Sequence, residues 1–121
     1  MQFDLTPHLT TPPSDPPFHL WTNVDYAAMF GATATLNIWF GVDAPIGRFA
    51  LAEGGGERRD ELWRTTCFEA FLRSGNEPAY QEWNFAPSGD WAAYDFAARR
   101  EGMAPAEVAE PPYIRIEDNL T

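Results

Sequence analysis

The stretch YQEWNFAPSGDWAAYDF, residues 80–96, limits the folds that this chain can adopt. Two aromatic-rich runs flank PSGD, whose proline interrupts a hydrogen-bonded ladder and whose glycine adopts turn conformations that other residues avoid. The preceding run ELWRTTCFEAFL is also of strand type. Three such runs separated by turn residues are typical of an antiparallel meander, so we predict a three-stranded meander within residues 61–96.

Alternation along these strands predicts which side chains share a face, because a sheet has only two sides. We expect a core face that holds Phe68, Ala70, Leu72, Trp83, Phe85, Tyr94 and Phe96. The opposite face is then predicted to hold Cys67, Glu69, Phe71, Glu82, Asn84, Trp91 and Asp95. The hairpin would thus gather carboxylates, an amide and aromatic rings on one surface.

The remaining sequence also consists of short strand-like runs between breakers. TATLNIWFGV alternates with period two and predicts a strand, whereas residues 20–26 give a weaker strand signal and DYAAM also fits a helical turn. RFALA and YIRIE are predicted as further strands, EGGGERRD as a flexible charged loop and EGMAPAEVAEPP as the place for one helical turn. The fold class predicted is therefore all-β.

Composition excludes several classes of partner and site. The 121 residues suffice for one ordinary domain, and 18 acidic against 8 basic residues give a net charge of −10. Such a surface repels phosphate backbones and anionic membranes, so neither nucleic acid nor a membrane is expected as a partner. The single cysteine, Cys67, excludes an internal disulfide and a cysteine-only metal site.

The N-terminal region is predicted to differ from the rest of the chain. Residues 1–17 are rich in proline and are expected to form an extended strap, while residues 18–121 form the β domain. MQFDLTPHLT has neither the basic start nor the apolar run of a secretory signal, and no apolar stretch is long enough to span a bilayer. We therefore expect a soluble cytoplasmic protein.

DELWRTTCFEAFL, YQEWNFAPSGDWAAYDF and RREGM together resemble the DOMON-like domains of bacterial proteins. That group is similar to family-nine carbohydrate-binding modules and to the haem-carrying domain of cellobiose dehydrogenase. The resemblance covers residues 5–116 and implies an antiparallel β-sandwich of jelly-roll type that binds sugar or haem without catalysis. Family members continue past PPYIRIEDNLT with further strands, so the resemblance also implies that this chain lacks the C-terminal strands of its family.

A ligand site is predicted on the hairpin surface. Carboxylates and amides hydrogen-bond sugar hydroxyls, and an aromatic ring stacks on the C–H face of a pyranose. We predict that Trp91 stacks and that Trp63 walls the site, whose residues are Trp63, Glu69, Glu82, Asn84, Trp91 and Asp95. A solvated outer face with polar cross-strand pairs is the alternative interpretation of these residues. A third interpretation, in which Glu69 and Glu82 are the acid–base pair of a glycosidase, is less favoured than these two. No catalytic residue is predicted.

Two other functions are left open by the sequence. One is a b-type haem-binding domain for electron transfer. Haem-carrying relatives bind iron through a Met and a His; Met29, Met103, His8 and His19 are available here, but no pair maps onto the family's positions. An interaction module that self-associates through exposed strand edges is the other alternative. No metal site is predicted, since Asp60 and Glu61 fit a solvated charged loop better than a calcium site.

Overall fold

A computed structural model of the chain describes residues 1–6, 19–28, 34–43 and 55–117. They form two antiparallel sheets, one in each of two compact units, Met1–Arg48 and Phe49–Thr121. The antiparallel, β-rich architecture predicted from the alternation is confirmed.

Sheet A, in the first unit, has three strands in the order β1–β2–β3. They are β1 (Gln2–Asp4), β2 (His19–Ala28) and β3 (Ala34–Asp43). The strand predicted from TATLNIWFGV is confirmed, and the helical alternative for DYAAM is wrong over residues 25–28 because β2 pairs with β3 along its whole length. The prolines of the predicted strap, Pro7 to Pro17, and the predicted strand RFALA lie outside the described residues.

Pairing in sheet A separates an apolar from a polar face, since directly opposed residues project to the same side. The apolar face holds Phe3, Leu20, Thr22, Val24, Tyr26, Leu36, Ile38, Phe40 and Val42. The polar face holds Gln2, Asp4, His19, Trp21, Asn23, Asp25, Asn37, Trp39, Gly41 and Asp43. Period-two alternation in β2 and β3 produces this division directly.

Sheet B, in the second unit, has four strands in the order β4–β5–β6–β7. They are β4 (Phe68–Leu72), β5 (Tyr80–Phe85), β6 (Trp91–Phe96) and β7 (Ala104–Pro105). The meander predicted from the sequence is confirmed. Its first strand is shorter than predicted, because Leu62–Arg64 forms a 3-10 turn and the strand begins only at Phe68.

The C-terminal part of the second unit differs from the prediction. Where one helical turn was expected, Ala104–Pro105 instead pairs with β6 as a fourth strand. Pro105 lacks an N–H and is tolerated in this short strand at the end of the strand order. The predicted strand YIRIE is wrong, because residues 113–117 have no strand pairing; Ile114 packs against the core while Tyr113 is exposed.

The register of sheet B confirms the predicted faces for two strands and contradicts them for the third. Phe68 opposes Phe85 and Glu69 opposes Asn84, as predicted. However, Phe85 opposes Trp91 and Glu82 opposes Tyr94, so the side chains of β6 project opposite to the prediction. The tryptophan face therefore holds Phe68, Ala70, Leu72, Gln81, Trp83, Phe85, Trp91, Ala93 and Asp95. The tyrosine face holds Glu69, Phe71, Tyr80, Glu82, Asn84, Ala92, Tyr94 and Phe96.

Both faces of sheet B carry buried apolar residues. On the tryptophan face, Trp91, Ala93 and Ala106 form a cluster, joined by Trp83, Phe85, Val108 and Ile114. On the tyrosine face, Ala92 and Tyr94 pack with Leu62 and Ala86, joined by Cys67 and Phe96. Segments of the same unit thus cover parts of both faces, which is why β6 is apolar on both sides.

Candidate functional site

The six residues predicted to share one ligand surface lie in three places. Glu69, Glu82 and Asn84 lie together on the tyrosine face, and Trp91 and Asp95 lie on the tryptophan face. Trp63 belongs to the 3-10 turn, where it is exposed beneath the Arg64 guanidinium, whose Cζ is 5.4 Å from the ring centroid. One surface containing all six residues is therefore not formed.

Trp91 does not offer a ring face to an external ligand in this structure. It is 5% exposed, and its ring stacks on Trp83 with 6.0 Å between centroids and 19° between planes. The Arg58 guanidinium lies over the Trp91 ring at 5.2 Å, an arrangement typical of a cation–π contact. The predicted stacking role of Trp91 is corrected to a core role, because the side chain points to the other face.

Asn84 lies within the sheet and its amide faces the Glu82 carboxylate. Only 2% of Asn84 is exposed, and both of its nearest polar neighbours are acceptors, so the amide is assigned with its nitrogen toward Glu82 Oε1, at 3.1 Å, and the Trp83 carbonyl, at 3.2 Å. Loss of solvation raises the pKa of Glu82, the nearby Glu69 charge raises it further, and the Asn84 hydrogen bond opposes both. These three residues form a structured polar patch, with Asn84 turned toward Glu82.

The Tyr94 hydroxyl joins the tyrosine face to the segment before the 3-10 turn. It donates to Asp60 Oδ1 at 2.6 Å, and desolvation together with Asp60 raises the pKa of Tyr94 to about 12. Asp60 thus accepts a hydrogen bond from the sheet. Among the described residues, no group of three His, Cys, Asp or Glu side chains is arranged to hold a metal ion.

The stretch predicted as a flexible charged loop is anchored to β6 over its described part, residues 55–60. Trp91 N–H donates to the Glu57 carbonyl at 3.1 Å, and Arg59 N–H donates to the Trp91 carbonyl at 2.9 Å. The Arg58 guanidinium also donates to the Ala93 carbonyl at 2.7 Å. This part of the stretch is therefore an ordered neighbour of the sheet.

The strand ends farthest from the PSGD turn form an open groove, which we call the end groove. Its volume is about 510 Å³. The lining residues come from β4, the β4–β5 connection, β5 and β6, and are Leu72, Arg73, Ser74, Glu77, Ala79, Tyr80, Gln81, Asp95 and Phe96. Asp95 is the one predicted site residue among them.

Two aromatic rings that line the end groove, Tyr80 and Phe96, belong to the tyrosine face. Tyr80 and Phe96 are directly opposed on β5 and β6 and stack with 4.9 Å between centroids and 5° between planes. Phe71, which is exposed, meets Tyr80 edge-on at 6.1 Å. The Tyr80 hydroxyl accepts a hydrogen bond from the Arg100 backbone N–H at 3.2 Å, which fixes the ring position.

A chain of hydrogen bonds orients the polar groups of the end groove. Trp83 Nε1 donates to Gln81 Oε1 at 3.2 Å, and Gln81 Nε2 donates to Asp95 Oδ1 at 3.0 Å. The core indole therefore sets the orientation of the Gln81 amide, which in turn sets that of the carboxylate. Among the bonds between described residues, one Gln81 Nε2 hydrogen and the second Asp95 carboxylate oxygen have no partner.

Sequence reasoning missed Tyr80, Gln81 and Phe96 as candidate site residues. The alternation assigns Phe96 to the core and gives Tyr80 and Gln81 no place on the predicted ligand face. Side chains at the other end of a hairpin are brought together by register alone, and the β6 register was predicted one residue out of phase.

His19, a candidate haem ligand, has both ring nitrogens engaged. Nε2 lies 2.7 Å from Asp4 Oδ1 and Nδ1 lies 3.0 Å from Asp43 Oδ2. Ligation of iron by His19 would require one of these bonds to break. Met103 is exposed, whereas His8 and Met29 lie outside the described residues.

Comparison with known proteins adds no relative. No protein-family model matches the chain, and neither a curated protein nor a solved structure matches it. Membership of the DOMON-like family therefore stays a prediction. Within the described ranges, no helix has the length and apolar character needed to cross a membrane.

Proposed function

We propose that this protein is a non-catalytic carbohydrate-binding module whose ligand lies in the end groove. The observation that carries the proposal is that one groove at the strand ends is lined both by the stacked Tyr80–Phe96 pair, from the tyrosine face, and by the hydrogen-bonded Gln81 and Asp95 side chains, from the tryptophan face. A pyranose has apolar C–H faces and polar edges, so it needs an aromatic surface and fixed hydrogen-bonding groups at the same place.

The chemistry of the groove favours a short saccharide with free hydroxyls. Asp95 and Glu77 accept hydrogen bonds from hydroxyls, Gln81 both donates and accepts, and the guanidinium of Arg73 donates. The net charge of −10 disfavours strongly anionic sugars. The open shape fits binding of a chain end or a single ring on the groove surface.

We also propose the finer fold class implied by the resemblance, a β-sandwich of jelly-roll or DOMON type. Two antiparallel sheets and the apolar face of sheet A support this class, because a sheet face of that composition is stable only when it is covered. An experimental structure of the whole chain tests it through the strand connectivity.

Titration calorimetry of the purified chain against a panel of neutral mono- and disaccharides tests the ligand proposal. Binding of at least one sugar is expected, weakened about tenfold or more by Tyr80→Ala and by Asp95→Ala, a change of about 1.4 kcal/mol or more in binding free energy. Tyr80→Phe keeps the stacking ring and should bind nearly as well as the natural chain.

Trp63→Ala is the matched control, because Trp63 is an exposed aromatic residue of the same unit and is not among the groove residues. Its affinity is expected to equal that of the natural chain. Absence of heat with every sugar, or equal loss of affinity in Trp63→Ala and Tyr80→Ala, would rule out the end groove as a carbohydrate site.

A further inference from the structure

We infer that the polar face of sheet A is a second ligand-binding surface, a flat platform for an uncharged, extended polysaccharide. The inference concerns the first unit alone and does not depend on the end groove. Both tryptophans of sheet A, Trp21 and Trp39, lie on the polar face.

Trp39 is half-exposed on this face, at 50%. A tryptophan side chain is among the largest apolar groups, and exposing it forgoes substantial burial energy. The residues on either side of it in β3, Ile38 and Phe40, project to the apolar face and are partly buried. A merely solvated polar face does not need tryptophan at this position, whereas a face that stacks a ligand ring does.

Trp21 lies flat against the neighbouring strand. It opposes Gly41 on β3, and a Cβ atom at Gly41 would overlap the Trp21 indole. The missing side chain therefore allows the indole to lie over the backbone instead of standing upright on the sheet. Trp21 and Trp39 are diagonal cross-strand neighbours, so the two rings belong to one continuous area of the face.

Hydrogen-bonding groups surround the two rings. Asn23 opposes Trp39 on one side and Gln2 on the other, so that Gln2, Asn23 and Trp39 form a row across the three strands, about 10 Å wide. Asn23 Oδ1 accepts from the N-terminal ammonium group at 3.0 Å, and no bond to another described residue uses its two N–H donors. The next pair along the strands, Asp25 and Asn37, adds a carboxylate and a second amide.

Charge selects the occupant of the platform. Asp4, Asp25 and Asp43 share this face, and its one basic side chain in the described residues, His19, is held between Asp4 and Asp43. Anionic polysaccharides and nucleic acids are therefore repelled. A sheet face with two diagonal aromatic neighbours can contact several sugar units of an extended neutral chain, whereas the end groove accommodates a short one.

Native gel electrophoresis through gels containing a soluble neutral polysaccharide tests the inference. Hydroxyethylcellulose, mixed-linkage glucan and galactomannan are suitable polymers, and polygalacturonate is the anionic comparison. The natural chain is expected to be retarded by at least one neutral polymer and not by polygalacturonate. Trp39→Ala should abolish the retardation, Trp39→Phe should restore part of it, and Asn37→Ala should weaken it without removing a ring.

Tyr26→Ala is the matched control, because Tyr26 is an exposed aromatic residue on the opposite face of the same sheet. It should migrate like the natural chain, and so should the groove variant Tyr80→Ala, which separates this surface from the groove proposed above. Absence of retardation in all neutral gels overturns the inference. Unchanged retardation of a Trp39→Ala chain with native circular dichroism, or equal loss in Tyr26→Ala, overturns it as well.

Discussion

The carboxylate of Asp90 is buried beside the guanidinium of Arg59, with 3.2 Å between Oδ2 and Nε. Asp90 is 1% exposed, and its Oδ1 also accepts the Glu57 backbone N–H at 2.8 Å. Since Asp90 is the last residue of the turn between β5 and β6, these bonds fasten the residue 55–60 segment to the hairpin. One carboxylate thus holds two separate parts of the second unit together.

Replacing Asp90 with Ala is expected to destabilise the second unit by about 2 kcal/mol, because a buried N–H and a guanidinium lose a charged partner. Asp90→Asn should cost less, since one acceptor oxygen remains. Urea unfolding followed by tryptophan fluorescence measures both. Glu110→Ala, an exposed acidic position in the same unit, serves as the control and should change the stability little.

The Asp90 carboxylate also makes the stability of the second unit sensitive to acid. The hydrogen bond from Glu57 is the main reason that the pKa of Asp90 lies below its ordinary value of 3.8, and Arg59 lowers it further. A carboxylate whose pKa is lower in the folded than in the unfolded protein stabilises the folded state at pH values above its ordinary pKa. This contribution is lost as the pH falls through the folded pKa. The stability difference between the natural chain and Asp90→Asn should therefore be constant near neutrality and shrink below about pH 4. An undiminished difference at pH 2 would contradict this assignment.

The sequence predicted the register of β4 on β5 but not that of β5 on β6. In β4 and β5, apolar Phe68 and Trp83 alternate with Glu69, Glu82 and Asn84, so only one register buries the apolar set. In β6 both alternating sets are mainly apolar, because Trp91 and Ala93 pack on one face and Ala92 and Tyr94 on the other. The pattern therefore contains no information on which set faces which side.

Turn geometry decides the β6 register instead. Gly89 adopts a φ of 92°, and Ala86 N–H bonds the Asp90 carbonyl, which closes the hairpin so that Phe85 opposes Trp91. A turn one residue longer or shorter would have exchanged the two faces of β6. Because the β6 register differs from the prediction, Asp95 lines the end groove and Trp91 lies in the core. Fold class followed from local alternation, but the site depended on a turn conformation that the letters PSGD do not specify.

His19 is expected to titrate above its ordinary pKa of 6.5. The hydrogen bond with Asp4 is the largest cause of the raised pKa, followed by that with Asp43. Only the imidazolium form donates from both ring nitrogens, so deprotonation leaves a lone pair facing a carboxylate. The stabilising contribution is complete below pH 6.5 and is lost as the pH rises through the folded pKa.

NMR titration of the His19 ring measures this effect. Asp4→Asn should lower the pKa of His19 more than Asp43→Asn does, because the hydrogen bond with Asp4 is the larger cause. A His19 pKa at or below 6.5 in the natural chain would show that the two carboxylates do not hold the ring.

Cys67 is expected to react slowly with thiol reagents in the folded protein. Desolvation is the main cause that raises its pKa from 9.0 to about 11, and the charges of Glu69 and Glu82 add to it. The thiolate is the reactive form, so its population at pH 8 falls by about 100-fold relative to an ordinary thiol. Reaction with an aromatic disulfide reagent should be slower by about this factor than in the urea-unfolded chain.

Glu69→Gln and Glu82→Gln should each accelerate the reaction of Cys67 modestly, because each removes a like charge while burial remains. Glu107→Gln, an exposed position outside the tyrosine face, should leave the rate unchanged. Equal rates in the folded and unfolded chains would mean that the Cys67 thiol is not shielded by the tyrosine face.

Thr22 is the position where a single substitution is expected to stabilise sheet A. Its hydroxyl oxygen is buried and has no hydrogen-bond partner in the described part of the chain, and its side chain lies on the apolar face between Phe3 and Phe40. A buried hydroxyl without a partner costs about 1 kcal/mol or more, and valine has nearly the same shape without the polar atom. Thr22→Val should therefore raise the free energy of unfolding by about 1 kcal/mol.

Thr22→Ser distinguishes the effect of the hydroxyl from that of the methyl group, because serine keeps the hydroxyl and lacks the methyl group. Thr22→Ser should lower the stability, and Thr35→Val, at an exposed position of the same sheet, should change it little. Denaturant unfolding monitored through Trp21 and Trp39 reports the first unit, provided that Trp63, Trp83 and Trp91 are replaced by phenylalanine in the parent chain. Equal loss of stability in the Thr22→Val and Thr22→Ser variants would contradict the prediction. It would mean that the Thr22 hydroxyl makes a favourable hydrogen bond that stabilises sheet A.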